Sequence, residues 1–236
     1  PAMSLKGSPD FPMRYLVDIQ DRKRGADPGP QHVVLWLARN KMPTTMEGRK
    51  LDHGHAWDQY IPEEVWRDHP EYLAASADGT RRTFPHKWAV KYCTTNPELV
   101  KTFAQGVIKW LDEHPERKSA AISPSDGGDF CECPNCNALI TKDPHGKDSR
   151  TVAMLSFDNS VARLVAEKHP DRILASYVYY NYMYPPESPV KMAPNLWRVW
   201  APLNYYGWGL QKPVYRKEFP EIGKGWTALT KNLKVP

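Results

Sequence analysis

Apolar positions along this chain follow two periods in alternation. Over residues 97–111, Leu99, Phe103, Val107, Trp110 and Leu111 fall on one face at helical spacing, and Thr95 or Asn96 supplies a cap. A second helix is predicted over 149–168, with Val152, Leu155, Val161, Leu164 and Val165 turned inward. Between and around these lie β-branched and aromatic runs at 14–19, 119–123, 172–180 and 196–200, which predict strands. Residues 31–41 are too densely apolar to assign by period; Asp27 and Pro28 resemble a cap and first turn, which favours helix. Residues 51–62 read as a loop carrying His53-Gly-His-Ala-Trp57, and Pro62-Glu-Glu opens a short helix after it. Asp78-Gly79 marks a hairpin turn.

Helices alternating with strands predict βαβ units and a mainly parallel sheet. Neither a repeat nor a domain boundary is visible, so residues 1–236 read as one α/β domain. Polar and aromatic residues at strand C-termini suit a TIM-type barrel, whose function gathers on that face. The count is five or six strands rather than eight, so the expectation is a TIM-barrel-like fold, incomplete in this chain. A doubly wound sheet would bring a glycine-rich phosphate loop, and the chain has neither G-x-G-x-x-G nor a Walker motif.

Composition narrows the function classes. The net charge of +5 is scattered, with no basic stripe to track phosphates, so no nucleic-acid partner is expected. No apolar run is long enough to span a bilayer, so no membrane insertion is expected either. The N-terminus lacks a signal peptide's apolar core, and the chain opens at Pro1, which reads as a processed or excised segment. The 9 Trp and 12 Tyr are unusual; their flat faces and polar handles suit sugar rings or partner surfaces as well as a core.

An ordered series of motifs adds a resemblance. It runs Pro9-Asp-Phe-Pro-Met-Arg14, Trp36-Leu-Ala-Arg-Asn40, Gly54-His-Ala-Trp57, His69-Pro-Glu-Tyr72 and Asp78-Gly79. It continues through Cys93-Thr-Thr-Asn-Pro97, Ser123-Pro-Ser-Asp-Gly127, Cys131-Glu-Cys-Pro-Asn-Cys136 and Tyr177-Val-Tyr-Tyr180. The series resembles the domain-of-unknown-function family numbered 4838, which is similar to TIM-barrel glycoside hydrolases of the α-glucuronidase and β-hexosaminidase type. The resemblance implies a bacterial, extracellular or periplasmic protein with a carbohydrate partner. It also implies further barrel strands beyond those counted here, and an N-terminal auxiliary domain that is not expected within these residues.

Asp126 is the expected general acid. It sits in a small-residue turn after the predicted strand 119–123, where it could protonate a leaving oxygen. In hexosaminidase-like barrels a second acid adjoins this one, and here Ser125 takes that place. Asp129 and Glu132 are near in sequence. Asp126 can alternatively cap its own turn. Aromatic neighbours are expected to desolvate it partly and keep it available as a proton donor. His53 and His55 can bond sugar hydroxyls or relay a proton, and Arg14, Arg39 and Asn40 can hold a uronic carboxylate. Trp57, Tyr177 and Tyr180 are expected to stack on substrate; alternation puts Tyr177 and Tyr179 on one side, Tyr180, Tyr182 and Tyr184 on the other. Cys93, Cys131, Cys133 and Cys136 admit three readings: a closed structural zinc centre, two disulfides, or free buried thiols. Two functions follow: a glycoside hydrolase acting on acidic or N-acetylated sugars, or a non-catalytic carbohydrate-binding or structural barrel domain of a larger secreted protein.

Overall fold

The computed structural model describes residues 51–188, 190–205 and 209–234. The strand expected at 14–19, the helix at 31–41, and Arg14, Arg39 and Asn40 lie outside the described residues. The helices are α1 (Trp57–Tyr60), α2 (Glu63–Asp68), α3 (Pro97–Glu113), α4 (Pro134–Asn137), α5 (Thr151–Ala166) and α6 (Pro213–Leu229). The strands are β1 (Ser119–Ala121), β2 (Thr141–Lys142), β3 (Asp148–Ser149), β4 (Ile173–Val178), β5 (Leu196–Trp200) and β6 (Leu233–Lys234).

Among the described residues the main sheet has the order β1-β4-β5-β6, and every pairing in it is parallel. Ser119 stands beside Ile173, and Leu174 to Val178 run beside Leu196 to Trp200. β2 and β3 form a separate antiparallel pair. The segment expected to be loop before Pro62 takes more structure than its composition suggests. His55 bridges Ser123 in parallel, Ala56 N–H donates to Ser123 O at 3.1 Å, and α1 follows directly. The expected turn at Asp78-Gly79 is present, closed by Ser76 N–H to Thr80 O at 2.8 Å and an Ala75–Arg81 antiparallel bridge.

α3 is capped as its sequence requires. Asn96 Oδ1 accepts from the N–H groups of Glu98 and Leu99, at 3.0 and 3.2 Å, and Pro97 occupies the first turn, where no N–H partner is needed. Its buried face is Leu99, Phe103, Ala104, Val107 and Leu111, while Trp110 is half-buried and stacks on His114. α5 packs on α3 and buries Met154, Leu155, Phe157, Val161 and Val165; Val152 and Leu164, expected inward, are half-buried. Trp57 and Phe103 meet Phe157 edge-on, at centroid distances of 5.4 and 5.2 Å. Such pairs add about 1 kcal/mol each beyond the area they bury.

Strand alternation sorts the sheet's faces. Leu174, Val178, Leu196 and Trp200 pack with the helix residues, while Ala175 and Val199 share the opposite face with Leu51, Tyr177 and Trp197. Arg198, on the helix side, is fully buried and pairs with the equally buried Asp158 of α5. α6 was not foreseen: Pro220, Gly223 and Gly225 read as breakers. Burial of Ile222 and Trp226, and stacking of Phe219 on Trp200 at 4.6 Å, hold it in place.

Candidate functional site

β1 and β4 end side by side, and the chain leaving each contributes to one shallow cleft of about 240 Å³. It is lined by Ser125, Asp126, Gly127, Gly128, Tyr179, Tyr180 and Tyr182. Gly127 takes a left-handed turn, φ 83°, that lets the loop double back behind the acid. Asp126 Oδ1 accepts from Gly127 N–H at 2.8 Å and from the Tyr179 hydroxyl at 3.4 Å. Tyr179's own pKa is raised, by burial first and then by the Asp126 charge, so it remains a donor.

His55 reaches the same oxygen. Its Nδ1 lies 2.5 Å from Pro124 O, and a carbonyl only accepts, so Nδ1 carries the proton and donates. Nε2 then points at Asp126 Oδ1, 3.8 Å away. Three groups therefore converge on Oδ1, and Oδ2 has no hydrogen-bond partner among the described residues. The His55 ring meets Tyr177 edge-on at 5.3 Å and Tyr179 at 6.1 Å. Beneath the loop, Lys91 Nζ donates to the Asp126 carbonyl at 2.7 Å. Burial pulls the Lys91 pKa down to about 8, opposed by the charges of Asp129 and Asp126.

Of the expected site residues, Asp126, His55 and Tyr177 come together at the strand ends, with His53 beside Tyr177 at 3.4 Å from Nδ1 to the hydroxyl. Burial, then the Lys234 charge, lowers the His53 pKa to about 4. Tyr180 lies at the rim, 66 % exposed, with its backbone in the left-handed region at φ 45°. That conformation ends strand alternation at Val178, so Tyr180, Tyr182 and Tyr184 do not continue the sheet; Tyr182 is buried instead. Trp57 is also corrected. It is wholly buried, donates its indole N–H to Ile122 O at 3.0 Å, and offers no face to a ligand. The Asp126 side chain is 61 % exposed, so its neighbours cover only a minor part of it. Asp129, also at positive φ, turns to Arg82 at 3.4 Å, and Glu132 pairs with the same guanidinium. The buried Ser125 hydroxyl has no hydrogen-bond partner among the described residues.

Two contributors were missed from sequence, Tyr179 and Lys91. Lys91 had a signal: a lysine within the apolar run Ala-Val-Lys-Tyr-Cys, at a position the fold buries.

The four cysteines gather from two segments. Cys93 precedes α3, Cys131 and Cys133 follow the Asp126 loop, and Cys133 leads into α4, which carries Cys136. All four are free thiols whose sulfurs lie within 4.8 Å of one another. Cys93 Sγ stands 3.7 Å from Cys133 Sγ and 3.9 Å from Cys136 Sγ, about twice a disulfide's ~2.0 Å bond. A tetrahedral centre with metal–sulfur bonds of about 2.3 Å has edges of about 3.8 Å, so the sulfur set fits a metal ion of that size. Backbone and threonine contacts orient the thiols: Ala75 N–H donates to Cys131 Sγ at 3.3 Å, and Thr95 Oγ1 lies 3.1 Å from Cys136 Sγ. Hydrogen bonds from Cys131 and Cys136 hold the Cys93 thiol far below its usual range, while contacts with Cys136 and Cys93 push Cys131 up.

No helix among the described residues is long and apolar enough to cross a membrane. No curated protein and no solved structure matches the chain. Residues 14–235 match the family described as Domain of unknown function (DUF4838), and with nearly its whole length covered the chain belongs to that family.

Proposed function

We propose that this protein is a carbohydrate-active domain, a glycoside hydrolase acting on acidic or N-acetylated sugars, with Asp126 as general acid. The observation that carries the reading is the convergence of Asp126, His55 and Tyr177, Tyr179 and Tyr180 at the C-terminal ends of adjacent parallel strands. With donors gathered on Oδ1, Oδ2 is the oxygen left to carry a proton to a leaving group in the cleft. His55 Nε2, 3.8 Å from Oδ1, is the neighbouring nitrogen that can exchange a proton with the carboxyl group. The exposed ring of Tyr180 offers a stacking face for a sugar.

Strand order supports a TIM-barrel-like architecture. Among the described residues each strand of the main sheet lies beside the one before it, without the reversal that marks a doubly wound sheet. The four cysteines would hold a structural zinc ion, a closed all-thiolate set that leaves no position for substrate. The resemblance to secreted bacterial carbohydrate-degrading proteins favours an extracellular or periplasmic location.

A second reading, a non-catalytic carbohydrate-binding domain, is favoured by the orientation of Asp129 toward Arg82, because no second carboxylate then faces the cleft among the described residues. One experiment separates the two. Wild type and Asp126→Asn are assayed on aryl glycosides of uronic and N-acetylated sugars, and sugar binding is titrated in parallel. The hydrolase reading expects a rate loss of about 10²-fold or more with binding retained. Binding without turnover by the wild type leaves the second reading, and neither binding nor turnover defeats both.

A further inference from the structure

Lys91 is an unusual side chain to find in this interior. It is 1 % exposed and lies between Val90 and Tyr92, both fully buried. Burying an ammonium group is costly unless it is paired, and a buried lysine normally meets a carboxylate. Here no carboxylate among the described residues lies within ion-pair distance of Nζ. Its hydrogen bonds go to carbonyls, Asp126 O at 2.7 Å and the more distant Ala89 O at 3.5 Å. The ammonium also lies over the Phe130 ring, 5.7 Å from its centre.

The rest of the loop shows why that bond matters. Gly127 and Asp129 both have positive φ, so residues 127–129 follow a path that regular structure does not enforce. Past them the loop is fixed again. Both Lys91 and Arg150 lie over the Phe130 ring, Arg150 Nη1 donates to Cys131 O at 3.0 Å, and Cys131 enters the thiol cluster with Cys93. Residues 91–93 therefore grip the loop at two points, Asp126 through Lys91 and Cys131 through Cys93.

We propose that Lys91 is a positioning residue for Asp126, holding its peptide so that the carboxyl group stays between His55 and Tyr179. The assignment of a catalytic task to that carboxyl rests on the hydrolase reading above; the grip on the loop does not. Removing the donor leaves the Asp126 peptide free to rotate about the Gly127-Gly128 link, and the carboxyl group then moves away from the Tyr179 hydroxyl and His55.

The test compares wild type, Lys91→Met and Lys91→Arg in the full chain. Lys91→Met keeps the apolar stem and removes the donor; Lys91→Arg restores a donor. Hydrogen exchange of the amides at 125–128 is measured beside that of α3 and the sheet, together with kcat and KM on the aryl glycosides. Lys91→Met is expected to speed exchange at 125–128 at least tenfold with α3 and the sheet unchanged. It should lower kcat at least tenfold with KM within twofold, and Lys91→Arg should recover part of both. Unchanged exchange at 125–128 overturns the proposal. So does faster exchange spread evenly through α3 and the sheet, which would make Lys91 a general core residue. If the wild type shows no turnover but Lys91→Met loosens 125–128 alone, the positioning role stands and the hydrolase reading falls.

Discussion

His53 and His55 are separated by one glycine and meet different surroundings. His55 is tied to Pro124 O and faces Asp126, whereas His53 is half-buried within the field of Lys234. The His53 pKa of about 4 in the folded protein lies below the ordinary imidazole value of 6.5. Between those values the unfolded chain binds more protons, so stability rises with pH across that window and is lost as pH falls through it. Because the ring keeps some solvent contact, the effect should be on the order of 1 kcal/mol. Thermal melts from pH 7 to pH 4 should show the decline, and His53→Gln should flatten it; equal slopes for the two proteins would remove His53 as the cause. Residue positions were legible where place along a strand determined them, as for Asp126, His55 and Tyr177, which meet at the strand ends. Roles were illegible where a partner decided them. Trp57 looked like a stacking ring until Ile122 O took its indole N–H, and Lys91 finds its carbonyl 35 positions away. Tyr180 shows the same limit from the backbone side: a single left-handed φ ends the alternation that its sequence implied.

The long helices α3 and α5 could be read from periodicity alone, because their cores repeat every three or four residues and Asn96 signals the start of α3. α6 and β6 could not be read so. Pro220 and two glycines argue against a helix until Trp200 and Trp226 are seen to hold it, and β6 is two residues long. α1 was hidden by its size, a single turn that survives by packing across α3 at Gly106. A Cβ at position 106 would lie 2.0 Å from the Tyr60 carbonyl oxygen, and backbone cannot yield as a side-chain tip can. Gly106→Ala should therefore cost about 2–3 kcal/mol, even though alanine is the better helix former by about 1 kcal/mol. Denaturant unfolding measures this directly, and a stabilised variant would show that α1 moves aside at no cost.

The molecule as described is a parallel sheet backed by α3, α5 and α6, with a separate thiol-rich unit fastened beside the strand ends. The mainly parallel sheet was legible because helices and strands alternate, and the gathering of Cys93 with the C-x-C-x-x-C thiols was legible from cysteine count and spacing; which of zinc, disulfides or free thiols the set forms was not. Purified protein should contain about one zinc per chain, and chelation should lower the melting temperature by on the order of 10 °C. A fully folded, metal-free preparation with the same melting temperature would exclude the metal. The placement of the four thiols also sets an order of events. Each precedes Asn137 in the chain, so the set is complete before α5, β4, β5 or β6 has left the ribosome. The sheet pairs β1 with strands that arrive later, each added beside the last. Metal capture can thus be an early step of synthesis, and its absence would be felt by a nascent chain whose first strand still waits for a neighbour.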